Sequence, residues 1–114
     1  MITIEQHADV LRVSVFSQLA LADYQEFEAA VSAELQRARQ IKLLLDLSNM
    51  SGFTLDVAWE DIKFTTAHAH DFQRIAVVAD TQWRGWTGWL ATAFTDADIE
   101  YFDDADAAMA WLES

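Results

Sequence analysis

The chain has no cysteine and no proline, and only three glycines among its 114 residues. Without cysteine, disulfides and thiolate chemistry are excluded. Without proline, nothing in the chain calls for a cis-proline turn. Basic residues are scarce too: seven Lys and Arg stand against nineteen Asp and Glu, for a formal net charge of −12. So acidic a surface repels nucleic acid, whose binding needs clustered Lys and Arg. It equally repels anionic lipid headgroups, which excludes electrostatic attachment to a membrane. No apolar run approaches the roughly 20 residues needed to cross a bilayer. The opening "MITIEQH" has neither the basic start nor the apolar stretch of a secretory signal, so a cytoplasmic location is expected.

Apolar residues are plentiful, at 53% of the chain. A chain of this length buries roughly two-thirds of its unfolded surface, which suffices for one core, so residues 1–114 are expected to form a single domain. "MITIEQH" and "VLRVSVF" are β-rich runs, and the "AD" between them suits a tight hairpin. "DYQEFEAAVSAELQRAR" predicts a helix. Asp23 is placed to cap it, with Glu26 at capping-box spacing. Tyr24, Phe27, Val31, Leu35 and Ala38 give it one apolar stripe.

"IKLLLDLS" lacks clean alternation and predicts a strand buried on both faces, as in parallel sheets. "NMSGF" has the residues of a turn. A helix started by Thr54 or Asp56 is expected over "TLDVAWEDIKFTTAH", then a second buried strand, "FQRIAVVAD". The tryptophan-rich "DTQWRGWTGWL" opens another helix. "DIEYF" is a short last strand, and "DDADAAMAWLES" a C-terminal helix with Asp103, Asp104 and Asp106 at its positive end. The resulting order, ββαβαβαβα, predicts an α/β fold with a mixed, mostly parallel five-stranded sheet and four helices.

The stretches "LLLDLSNMSGFTLDVAWEDIKF", "HDFQRIAVVADTQW" and "YFDDADAAMAWL" together resemble the SpoIIAA-like family. Its members have a STAS-type fold that has also been likened to CRAL-TRIO lipid carriers. The shared points are Asp-Leu-Ser after a buried strand, the Trp59-x-Asp61 helix, a His before "RIAVV", a Trp opening the next helix, and the closing "A-x-x-WL". The resemblance implies a sheet covered by helices and does not imply an enzyme. Better-known STAS relatives are anti-sigma-factor antagonists switched by phosphorylation at a serine in an Asp-Ser-Ser-Gly-like turn. The corresponding stretch after Asp46 reaches Leu55 and Asp56, where there is no serine. Thr54 is the nearest hydroxyl and fits only with a shifted register. For the SpoIIAA-like group itself, the resemblance implies binding of lipid or another hydrophobic ligand, and association with membranes.

Catalytic signatures are few. There is no phosphate loop and no nucleophile elbow. His68, His70 and Asp71, with Glu60 or Asp61 nearby, are the only residues of metal-ligand type that cluster. On a helix, however, the two imidazoles point about 200° apart, so they cannot share a metal. A metal-assisted hydrolase is the weakest reading, and neither metal nor cofactor is expected. Ser48, after Asp46 at a strand end, is expected in a turn bond to the backbone.

Helical projection of residues 55–68 puts Leu55, Ala58, Trp59, Ile62 and Thr66 toward the sheet. Val57, Asp61, Phe64 and His68 fall opposite, so two apolar residues occupy an expected wet face. In the tryptophan helix, Trp83, Trp86, Leu90, Ala93 and Phe94 form a core stripe. Trp89 borders a strip of small residues: Gly85, Gly88 and Thr92. Each glycine inside a helix costs roughly 1 kcal/mol against alanine, which calls for close approach by another helix or by a ligand. The expected binding surface is therefore Val57, Asp61, Phe64, His68, Gly85, Gly88, Trp89 and Thr92. It would hold a hydrophobic small molecule or lipid. Alternatively, the same surface would be covered by a partner protein or by a second copy in a homodimer.

Overall fold

A computed structural model describes residues 1–7, 9–37, 40–67, 70–79 and 97–114. Five strands form one sheet in the order β1 (Ile2–His7), β2 (Val10–Leu19), β3 (Ile41–Phe53), β4 (Phe72–Val78) and β5 (Asp98–Phe102). β1 runs antiparallel to β2, and the other three pairings are parallel. The described helices are α1 (Leu21–Leu35), α2 (Leu55–Ala67) and α3 (Ala105–Glu113). The mixed, mostly parallel five-stranded sheet is as expected. Three of the four expected helices are found. The fourth, over the tryptophan-rich stretch, lies outside the described residues.

β3 alternates poorly because the sheet has a core on each side. Leu43 belongs to the core that also holds Tyr24, Phe27 and Val31 of α1 and Val57 and Phe64 of α2. Its neighbour Leu44 faces the other way, joining Val10, Ala76 and Val78 beneath Ala108 and Leu112 of α3. Burying each such aliphatic side chain contributes about 1.5–3 kcal/mol, so both faces of the strand select for leucine.

The stretch "NMSGF" is strand rather than turn. β3 continues to Phe53 beside β2, but Ser14 pairs with Asp46 whereas Phe16 pairs with Asn49, and Ser17 pairs with Met50 whereas Gln18 pairs with Gly52. At each step β3 carries one residue more than β2. Ser17, at the second irregularity, adopts a left-handed φ of 60°. Small polar residues are tolerated where bulges interrupt the ladder, which is why the segment reads as a turn.

α1 begins earlier than Asp23. Ala20 holds the cap position, and Asp23, in the first turn, accepts a hydrogen bond from the Ala20 N–H at 3.1 Å. The cap residue has no side-chain acceptor of its own, so the carboxylate inside the helix satisfies a terminal donor instead. Glu26 therefore sits within the helix rather than in a capping box. Helix geometry ends at Leu35, and Arg37 turns back to Glu34 at 3.3 Å. Tyr24, Phe27 and Val31 are buried as the stripe predicts and Leu35 is partly buried against them, while Ala38 lies outside the described residues.

At α3 the expected acidic start is realised by Asp104, whose carboxylate accepts from the Ala107 N–H at 2.8 Å. Its far end is held by Arg74 of β4. That guanidinium lies 5.2 Å from the Trp111 ring centre and donates to the Trp111 carbonyl at 2.8 Å and to Ser114. A cation at a helix C-terminus meets the negative end of its dipole. Among the described residues no helix is long and apolar enough to cross a membrane.

Candidate functional site

The phase of α2 is the reverse of the one expected for its apolar pair. Val57 is fully buried and Phe64 is 6% exposed. The Phe64 ring sits between α1 and β4, with centroids 5.9 Å from Tyr24, 5.2 Å from Phe27 and 6.2 Å from Phe72. The aromatic wall of α1 and β4 gives Phe64 edge and face contacts. Val57 and Phe64 thus belong to the core rather than to an open surface.

Asp61 lies one turn from each of them and is therefore drawn to the same side. Its carboxylate accepts a hydrogen bond from the Tyr24 hydroxyl, a polar link between α1 and α2. Burial raises the Asp61 carboxyl above its ordinary range, and the Tyr24 bond opposes that rise only in part. The phenol of Tyr24 is pushed upward, first by its own burial and then by the charge of Asp61, with Glu28 and Glu60 adding to it. A partly buried acceptor and a buried donor satisfy each other here, as interior polar groups must.

Sequence reasoning put Asp61 in the site but missed Tyr24 as its partner. The signal was available. An acid flanked by Val57 and Phe64 on one helical stripe needs a donor, and Tyr24 lies on the stripe of the neighbouring helix.

The head of α2 is the second polar feature. Thr54 precedes the helix, its N–H bonded to the Leu19 carbonyl at 3.1 Å and its own carbonyl accepting from the Val57 N–H at 3.1 Å. Its hydroxyl donates to the Asp56 carboxylate, and the same carboxylate oxygen accepts from the Val57 N–H at 3.0 Å. Thr54 is partly exposed and Asp56 exposed, so this negative group faces outward from the positive end of the helix.

Ser48 does bond locally, but to a side chain. Its hydroxyl and its N–H donate to Asp46 Oδ1 at 2.6 and 3.0 Å, at the first bulge of β3. His70 is exposed at the turn after α2. Among the described residues no three His, Asp or Glu side chains gather as a metal site would require. Of the other expected binding residues, His68, Gly85, Gly88, Trp89 and Thr92 lie outside the described residues.

A protein-family model described as SpoIIAA-like matches residues 10–113. No curated protein is similar to the chain at a significant level. Among solved structures, an uncharacterised protein of the DUF3478 family from Shewanella loihica PV-4, with a SpoIIAA-like fold, is similar at 27% identity and a TM-score of 0.78. That match covers 98% of this chain and 92% of the other. The anti-sigma factor antagonist SpoIIAA in its unphosphorylated form is similar at 10% identity and a TM-score of 0.67, over 100% of this chain and 99% of the other. An anti-sigma factor antagonist from Mycobacterium paratuberculosis is similar at 20% identity and a TM-score of 0.64, over 100% and 96% of the two chains. At those two identities what is shared is the fold.

Proposed function

The chain belongs to the SpoIIAA-like family, and from that we infer that it is a non-catalytic module whose partner is a protein that docks at the head of α2. The observation carrying this reading is the Asp56 carboxylate, held outward by the Thr54 hydroxyl and the Val57 N–H. Anti-sigma factor antagonists share the fold, and their resemblance put the switched hydroxyl at positions 55 and 56. A carboxylate stands there instead, so the module would present a fixed negative group where such relatives present a switched one. A partner reading this surface would offer Lys or Arg, which also suits a net charge of −12.

An apolar ligand is favoured less, because two residues expected to line its groove, Val57 and Phe64, are packed into the core. Affinity capture tests the reading with the wild-type chain beside an Asp56→Lys variant whose folding is checked by circular dichroism. A protein retained by the wild type and lost by the variant supports it. Identical capture profiles would defeat it, and lipid extracted from the purified chain would restore the apolar-ligand reading.

A further inference from the structure

The two edges of the sheet are built differently. β5 ends the sheet on one side with exposed carboxylates at Asp98 and Glu100. β1 ends it on the other side with the sequence Ile-Thr-Ile-Glu-Gln-His, without lysine or proline and without an irregularity in its pairing. Those are the usual devices that keep an edge from pairing with another chain. The single carboxylate of β1, Glu5, sits opposite Arg12 of β2 in the register.

The hydrogen-bond phase of the edge is set. Met1 and Phe16 exchange both backbone bonds, at 2.8 and 3.1 Å. Odd-numbered residues of β1 therefore direct their N–H and C=O toward β2, and Ile2 and Ile4 direct theirs outward. β1 has no neighbouring strand on that side among the described residues.

We propose that a second copy of this chain pairs along this edge, β1 against β1, antiparallel about a two-fold axis at Ile4. In that register Ile4 faces Ile4 of the partner subunit, and Thr3 faces Glu5 of the partner subunit. Sliding one step toward His7 would center the axis on Glu5 and set two carboxylates directly opposite, which is destabilising. Sliding the other way would shorten the overlap. Ile2 and Ile4 are half-buried against the α1 side of the core, so pairing at Ile4 continues that apolar layer from one copy into the next. Each copy carries a net charge of −12, so association tightens as salt screens the repulsion.

Thr3 is exposed and lies on the opposite face from Ile2 and Ile4, so it can be changed without touching the core. Thr3→Lys gains an attraction to Glu5 of the partner subunit, and Thr3→Glu gains a repulsion, each twice per dimer. In sedimentation velocity of the full chain, the dimer of Thr3→Lys should be tighter than that of Thr3→Glu by roughly tenfold or more. Hydrogen exchange on the wild type provides a check free of mutation: protection of the Ile2 and Ile4 amides should rise with protein concentration. A chain that stays monomeric at every concentration and at high salt overturns the pairing. So does a dimer to which the two Thr3 variants are indifferent. The edge is independent of the head of α2, so Asp56→Lys should leave this dimer unchanged.

Discussion

Tyr24 on α1 donates its phenolic hydrogen bond to Asp61 on α2, tying the two helices together through groups that burial has shifted in the same direction. Both hold their protons more tightly in the fold than in the unfolded chain. Each therefore contributes stability that is present below its unfolded pKa and lost as pH rises through its folded one. For Asp61 that loss begins just above the ordinary aspartate value of about 4. Asp61→Asn removes the titrating group, so the variant's melting temperature should fall less than the wild type's between about pH 4 and pH 7. Parallel slopes in thermal melts across that range would refute the assignment. Tyr24→Phe leaves the carboxylate without its donor and should cost about 1–3 kcal/mol at neutral pH.

Phe64 gives the second prediction. Its ring is held by Tyr24, Phe27 and Phe72, so Phe64→Ala should destabilise the fold by about 3–5 kcal/mol. Were the ring on a wet face, the same change would be close to neutral. Urea denaturation separates the two outcomes, and a midpoint unchanged from wild type would mean that the ring is not core.

Arg74 gives the third. Its guanidinium covers the Trp111 ring and donates to the last carbonyls of α3. Arg74→Lys keeps the charge but loses the planar fork and the stack. It should therefore destabilise the chain nearly as much as Arg74→Ala, by about 1–2 kcal/mol. Full rescue by lysine in chemical denaturation would show that charge alone holds the helix end.

The succession of strands along the chain and the β1–β2 hairpin were legible because composition and turn residues agree there. The Leu43–Leu44 pair announced a sheet covered on both faces, and both cores are present. The acidic start of α3 was legible because charges at a helix terminus are a local feature, though the sequence did not single out Asp104 among the three as the cap. The burial of Val57 and Phe64 was not, because Leu55, Ala58 and Ile62 offer a second apolar stripe in the sequence of the same helix. The aromatic residues of α1 and β4 that enclose Phe64 are distant in sequence. The bulged end of β3 was hidden for a related reason. Asn49, Ser51 and Gly52 have turn chemistry, and it is the pairing with β2 that turns them into strand.

Strand position in the sheet follows chain order without a break from β1 to β5. Each strand docks on the free side of the one before it, and none has to be threaded between two that are already paired. A ribosome releases the strands in that same sequence. The β1–β2 hairpin, closed by a short loop, needs no helical crossover, and every later addition extends an existing template. The sheet can therefore be laid down during synthesis, one strand at a time, with α1 available to cover the growing face before β3 arrives.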